Sequence, residues 1–350
     1  MAALSGEPLK AGGPEGLLSL EVTTCCNSPC RHCFARAAGK ADASLSPALA
    51  AASCREGYAL GYRHLHLTGG EPLLWPGLFD LLVLAGTLGY RSIFLNTNGL
   101  LLSEATAARL ARYPGVSVSV SLQGPEALHD AVRGADTHRK AVRGCRHALA
   151  AGLPTTVFTV VGQTLLARLA HFAVEVNDRL NGIERLTLIQ LIRVAGAPPE
   201  IDEDLLDPTA FVRLVRTVSA LNLCGFFTHV LNNPLVNAAA ELLQTPLVPR
   251  SAPLCRPGKL TLRAGGEMTL AHSTSQSIGH YTPGMLAAVL RSTRYARGVA
   301  PDRSTCPGCR FYAVCRRHEM QRPTTDVLDT LSTEPYCQRV LARCQRRDRR

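Results

Sequence analysis

A short β-branched run followed by a longer Ala/Leu/Arg-rich stretch recurs through the first half of this 350-residue chain. The runs are Leu18–Thr24, His64–Thr68, Ser92–Thr97, Val116–Leu122, Thr155–Val161 and Arg185–Ile192. Between them, Ser46–Gly61, Leu78–Leu88, Ser103–Tyr113, Arg139–Ala151 and Leu165–Leu180 have the composition and length of helices. Strands alternating with helices pair in parallel through right-handed crossovers. Six such units predict an α/β fold, a partial (β/α)6 barrel open on one side. In parallel α/β folds the chemistry gathers at the carboxyl ends of the strands. Residues just past each run are therefore the candidate functional ones.

Past the first run stand Cys26, Cys30 and Cys33 in C-x3-C-x2-C spacing. Three thiolates this close can wrap one small inorganic centre, and they are one short of the four that usually close a zinc or iron–sulfur site. A cluster so held keeps one iron open to another ligand. The spacing alone leaves a zinc knuckle as the alternative. Past the second run, Thr68-Gly-Gly-Glu-Pro72 combines two glycines that let backbone approach closely with a glutamate that can accept from a cation. The third run ends in Asn96-Thr-Asn-Gly99, the fourth in Ser121-Leu-Gln-Gly124, and Arg133-Gly134 follows downstream.

Together these residues resemble the signature of the radical S-adenosylmethionine (radical SAM) family, over about residues 17–195. The resemblance implies a 4Fe–4S cluster on Cys26, Cys30 and Cys33, with the amine and carboxylate of SAM on the fourth iron. It assigns Gly69, Gly70 and Glu71 to the SAM amine, Asn98 to a SAM contact, Ser121 to the ribose and Arg133 to the SAM carboxylate, for which a guanidinium fork is suited. Gln123 stands where the family more often has Asp. Thr155, Thr159 and Gln190 are polar positions on the fifth and sixth strands that could face substrate. The implied chemistry is reductive cleavage of SAM to a 5′-deoxyadenosyl radical, which takes hydrogen from an unactivated C–H bond.

A loose lead-in (1–15) precedes the barrel (16–195). A linker and helical bridge follows (196–254), in which Asp207 before Pro208 reads as a helix start. The next segment (255–344) opens on Cys255, continues through a hairpin around Gly265-Gly266, and carries Cys306, Cys309, Cys315, Cys337 and Cys344. It resembles a small SPASM/twitch-like iron–sulfur extension, and a basic tail (345–350) ends the chain. One family Cys is replaced by Ala271 or His272 and another by Glu319, which implies loss of the cluster nearer the barrel. The intact set, Cys306, Cys309, Cys315 and Cys337, implies one auxiliary 4Fe–4S cluster. A twitch-type site that draws in Cys255, or a zinc ribbon on the same thiols, are the rival readings. Cys255, freed from cluster duty, is a candidate hydrogen donor near the barrel mouth.

The chain has 46% hydrophobic and 19% charged residues, as expected of a globular protein. Its apolar runs are too short to span a membrane. With no signal peptide at the N-terminus, the 13 Cys point to a reducing cytoplasm, and so to metal ligands and thiols rather than disulfides. Much of the net charge of +11 collects in the Arg-rich end, which could grip an acidic peptide. No aromatic residues interleave the final run to stack on bases, so nucleic acid is not the expected partner. The expected partners are a small-molecule or peptide substrate and a flavodoxin- or ferredoxin-type electron donor. The favoured substrate is a sugar or aminocyclitol, dehydrogenated or epimerised in antibiotic biosynthesis, because no N-terminal peptide-recognition domain is evident. A ribosomal peptide, crosslinked or epimerised, is the second reading, and a non-enzymatic metal-binding module the third.

Overall fold

Apolar and polar residues alternate along the strands, as in Leu17-Leu-Ser-Leu-Glu-Val-Thr23 and Val116-Ser-Val-Ser-Val-Ser121. Period two sends Leu18, Leu20, Leu65, Leu67, Val118 and Val120 to one face, where all are buried. There they pack under the helices with Ala50, Leu82, Ala107, Cys145 and Phe172 as one core. A parallel sheet with apolar packing on both faces reads as continuous apolar runs. The alternation therefore marks a second face turned to a polar interior.

In the computed structural model, which describes residues 16–33, 42–193, 197–274, 277–300, 308–315 and 336–345, six βα units follow one another as the sequence predicts. They are β1 (Leu17–Thr23), α1 (Pro47–Ala59), β2 (His64–Gly69), α2 (Leu78–Leu88), β3 (Ser92–Thr97), α3 (Glu104–Leu110), β4 (Val116–Ser121), α4 (Glu126–Arg133), α5 (Thr137–Ala150), β5 (Thr155–Val161), α6 (Gln163–Leu166), α7 (Leu169–Arg179) and β6 (Arg185–Gln190). The lead-in over 1–15 and the tail over 346–350 lie outside the described residues. Helix starts follow local chemistry. Ser46 caps α1 by accepting from Leu49 N, with Pro47 in the first turn, and Ser103 caps α3 by accepting from Thr106 N. The expected single helix over Leu165–Leu180 is divided into α6 and α7, and Asp204 accepts from Thr164 N at 2.7 Å in the first of them.

The later chain comprises α8 (Ile201–Asp204), α9 (Pro208–Leu223), β7 (Thr228–Val230), α10 (Leu235–Leu242), β8 (Lys259–Leu262), β9 (Glu267–Thr269), β10 (Ser277–His280), α11 (Leu286–Arg291), α12 (Thr293–Val299), α13 (Tyr312–Cys315) and α14 (Tyr336–Gln345). Asp207 caps α9 through Ala210 N, as the Asp-Pro pair predicts. The helix expected from Leu231 starts only at Leu235, because a residue before proline is pushed out of the helical region and Pro234 follows Asn233.

Among the described residues the strands form one sheet in the order β10-β9-β8-β1-β2-β3-β4-β5-β6-β7. β1 to β7 are parallel, and β8 joins parallel to β1, with Leu17 opposite Lys259 and Ser19 opposite Thr261. β8 and β9 make the expected hairpin, and β10 adds antiparallel to β9. The two ends of the sheet do not pair, so the barrel is partial and open.

Candidate active site

β1 delivers the Cys loop to the carboxyl end of the sheet, and the exit of β2 lies directly against it. Gly70 N donates to Thr23 O at 2.6 Å and Glu71 N to Cys25 O at 2.8 Å. A Cβ on Gly70 would stand 2.2 Å from Cys25 O, and one on Gly69, at φ +154°, 2.2 Å from Thr23 O. Both contacts are with backbone, so only glycine fits at either position. The glycines thus seat the Cys loop itself on the strand ends.

Cys26, Cys30 and Cys33 are each half-buried on this loop. Asn98 Nδ2 donates to Cys26 Sγ at 3.7 Å and to Asn27 Oδ1 at 2.7 Å. Arg133 Nη1 donates to Cys30 Sγ at 3.7 Å, and Ser28 Oγ, 3.2 Å from the same sulfur, donates to Arg133 O at 2.7 Å. The ends of β3 and α4 therefore both close on the loop. Asn27 and Ser28 are contributors that the sequence reading missed. A small polar residue between closely spaced Cys is the signal that would have found them.

Glu71 is fully buried. Its Oε1 accepts from Leu73 N at 3.1 Å and Thr97 Oγ1 at 2.8 Å, and its Oε2 accepts from Asn98 N at 2.8 Å. Burial pushes the carboxyl up to about 7, against these hydrogen bonds and the nearby Arg133 charge, which pull it down. The carboxylate ties the exit of β2 to that of β3 and keeps about one acceptor position of its usual four.

Arg133 lies at the end of α4, nine-tenths buried, and its Nε has no hydrogen-bond partner among the described residues. A buried guanidinium with an unmet N–H is costly unless an anion completes it. Ser121 is half-buried on the inward face of β4. Gln123 bridges to β5, where its Nε2 donates to Val160 O and its Oε1 accepts from Val160 N at 3.2 Å. A carboxylate can only accept, so Gln at this position pairs with both the N–H and the C=O of Val160 as Asp could not.

The expectation that Thr155, Thr159 and Gln190 face substrate is corrected. Thr155 and Thr159 are fully buried on the helix-packed face with Val157 and Val161, and their hydroxyls donate to Leu153 O and Leu122 O. Gln190 turns outward, accepts from Asn233 Nδ2 at 2.5 Å, and reaches Tyr336 Oη of α14 at 3.4 Å. The inward face instead carries Ser19, Glu21, His64, His66, Thr68, Ser92, Phe94, Asn96, Ser117, Ser119, Ser121, Thr156 and Thr187. Ser119 and Thr156 pair hydroxyl to hydroxyl at 2.6 Å, and His64 Nδ1 meets Ser92 Oγ at 2.7 Å. Phe94 keeps 36% of its surface accessible although it sits between two other strands, so this face lines a lumen. The period-two alternation in the sequence was the signal for it.

Farther along, Cys255 is buried in the core and precedes the amino end of β8. Gly258 O accepts from Leu17 N at 2.7 Å, which puts this turn at the foot of β1. The expectation that Cys255 lies nearest the barrel mouth is therefore corrected: it stands at the opposite end of the sheet from the Cys26 loop. Cys309 is exposed and Cys337 half-buried on α14, Cys315 ends α13, and Cys306 and Glu319 lie outside the described residues. Cys344 is buried, and burial pushes its thiol up to about 11, as suits a packed thiol.

Residues 20–166 match the Radical SAM superfamily. Mycofactocin maturase MftC of Mycobacterium ulcerans (strain Agy99) is 31% identical over 195 residues, which are 55% of this chain and 51% of that protein. The chain thus spans about half the length of the curated relatives it matches. Among solved structures, native anSMEcpe with bound AdoMet and Cp18Cys peptide matches with a TM-score of 0.71 at 16% identity, over 94% of this chain and 95% of that one. Streptococcus suis SuiB bound to precursor peptide SuiA matches with a TM-score of 0.66 at 14% identity, over 81% and 66%. The chain carries a radical SAM domain on an open partial barrel. Such a domain implies a 4Fe–4S cluster and SAM, and the residues present fit both. Three half-buried thiols share one loop, and the unmet Arg133 N–H beside them suits a carboxylate. Among the described residues no three His, Cys, Asp or Glu side chains converge on a single-ion site. No described helix is long and apolar enough to cross a membrane.

Proposed function

We propose that this chain is a radical SAM enzyme that removes hydrogen from an unactivated C–H bond of a peptide substrate, as a maturase of a natural-product precursor. When bound, the reduced cluster and SAM supply the radical that does this chemistry. The chain's own residues hold and enclose the reactants. Cys26, Cys30 and Cys33 ligate the cluster, Arg133 takes the SAM carboxylate, and Gly69, Gly70, Glu71 and Asn98 fix the wall that receives the SAM amine. Ser121, on the inward face of β4, would take the ribose. The observation that carries this reading is the buried Arg133 guanidinium beside a three-Cys loop, whose Nε has no hydrogen-bond partner among the described residues.

The peptide reading draws support from two structural relatives whose own structures hold peptides. The sugar or aminocyclitol reading is supported by a different observation, the hydroxyl- and imidazole-rich wall of the lumen. The auxiliary 4Fe–4S cluster on Cys306, Cys309, Cys315 and Cys337, the SPASM/twitch-like nature of 255–344 and a flavodoxin- or ferredoxin-type reductant belong to the same proposal. The test is 5′-deoxyadenosine release from SAM by the anaerobically reconstituted, dithionite-reduced protein. Release by the wild type and none by a Cys26→Ala/Cys30→Ala/Cys33→Ala variant is the expected result. Equal release by both, or none by either, would overturn the proposal.

A further inference from the structure

Two side chains from different elements reach the sulfurs of the Cys loop. Asn98, just past β3, is buried, and both ends of its carboxamide are held. Oδ1 accepts from Leu100 N at 2.9 Å, which settles which end of the amide is nitrogen. The two Nδ2 protons then go to Asn27 Oδ1 at 2.7 Å and to Cys26 Sγ at 3.7 Å, within reach of the large sulfur atom. Asn98 N donates to the buried Glu71 Oε2 at 2.8 Å and seats the residue from behind. Both amide protons therefore serve the Cys loop, and one lone pair of Oδ1 is left for SAM.

Arg133 approaches the neighbouring sulfur from α4. Its Nη1 donates to Cys30 Sγ at 3.7 Å. The turn that carries it is tied to the loop twice, by Ser28 Oγ donating to Arg133 O at 2.7 Å and by Arg31 N donating to Val132 O at 2.9 Å. Ser28 Oγ also lies 3.2 Å from Cys30 Sγ. A hydroxyl has one proton, and here it is placed on Arg133 O, so Ser28 orients the arginine rather than adding a donor to the sulfur. The Arg133 side chain is itself buried, so its charge acts on the loop through protein rather than through water.

We propose that Asn98 and Arg133 set the reduction potential of the cluster on Cys26, Cys30 and Cys33, by donating to two of its three ligand sulfurs and so favouring the reduced state. A ligating thiolate keeps negative charge, and reduction adds one electron more to the same centre. An N–H aimed at sulfur, and a buried cation beside it, stabilise the more negative state more strongly than the less negative one. The electron comes from the reductant, dithionite in the assay, and no bond of the protein is made or broken. This rests on the radical SAM reading in taking the three Cys as cluster ligands. It gives Arg133 a role that precedes SAM binding, and it turns the Asn98 amide protons towards the cluster rather than towards SAM.

The test is a redox titration of the anaerobically reconstituted full chain without SAM, with the reduced cluster read by EPR. The signal that belongs to the triplet is the one missing from the Cys26→Ala/Cys30→Ala/Cys33→Ala variant. At a fixed solution potential the ratio of reduced to oxidised cluster should fall about ten-fold in Asn98→Leu, which is ~59 mV for a one-electron couple. It should fall at least as far in Arg133→Met, where a charge is lost together with the donor. SAM is absent, so loss of a SAM contact alone would leave both ratios at the wild-type value. A wild-type ratio in either variant would overturn the proposal. Where a variant holds no iron, the wild type decides. Side-chain 15N-labelled asparagine and 15N-labelled arginine should each show nitrogen coupling to the reduced cluster by pulsed EPR, and absence of either coupling would overturn the proposal. A wild type without any triplet signal sinks the radical SAM reading and this proposal with it, whereas a triplet signal whose potential ignores both substitutions sinks this proposal alone.

Discussion

Arg133 and Glu71 put opposite demands on the same few ångströms. The guanidinium is buried with one N–H unmet among the described residues, and the carboxylate is buried with its protein partners in place. Charge-assisted hydrogen bonds contribute about 1.5–3 kcal/mol each, so Arg133→Met should weaken SAM binding by roughly 10- to 100-fold. Arg133→Lys should recover only part of that loss, because an ammonium lacks the planar fork. Equilibrium dialysis of SAM under anaerobic conditions reads both. Glu71 makes a stability prediction. Its folded value, about 7, lies above the ordinary 4.5, so the folded state binds the extra proton. Its contribution is full below about 4.5 and is lost as pH rises through 7, with a slope of up to about 1.4 kcal/mol per pH unit. Glu71→Gln should be less stable, since an amide N–H would face Asn98 N–H, and should lack that slope in denaturant midpoints measured from pH 5 to 8. At this scale the Cys triplet stood out by its spacing, and the glycines and Arg133 were singled out through the family resemblance. The choice of Gln123 was not legible, because its reason is the backbone N–H and C=O of Val160 on another strand.

The elements were legible where their signals are local. β3, β5 and α2 run to the residues that composition alone marks. β7 has only three residues, too few to show a period. Nothing local in Lys259–Leu262 says that β8 pairs with β1 rather than with its own hairpin alone. The closest fit between elements is that of the β2 exit on the Cys loop. Gly70→Ala would drive a methyl into the carbonyls of Cys25 and Thr24, 2.2 and 2.5 Å from the new carbon. Overpacking against backbone costs about 1–3 kcal/mol. The variant should melt earlier than wild type and lose most of the iron at Cys26, Cys30 and Cys33, as iron analysis after reconstitution would show.

For the whole molecule, the sheet separates two chemical environments that one sequence period encodes. The helix-packed face is apolar and carries the stability, whereas the inward face is polar and available to ligands. The auxiliary cluster makes its prediction at this scale. With Cys26, Cys30 and Cys33 all changed to Ala, the chain should still hold about 4 Fe after anaerobic reconstitution if a second closed cluster stands on four other thiolates. Loss of essentially all iron would remove that cluster and make redox-neutral chemistry the better reading. The layered barrel was legible in the sequence because βα alternation is a long-range pattern written locally.

The place of β1 between β2 and β8 also sets a clock. During synthesis β2 arrives early, but β8 emerges some 240 residues after β1, about 12–50 s later at ~5–20 residues per second. Through that interval one edge of the strand that leads into the Cys loop has no strand partner, so the sheet is completed on that side only once Leu262 has been made.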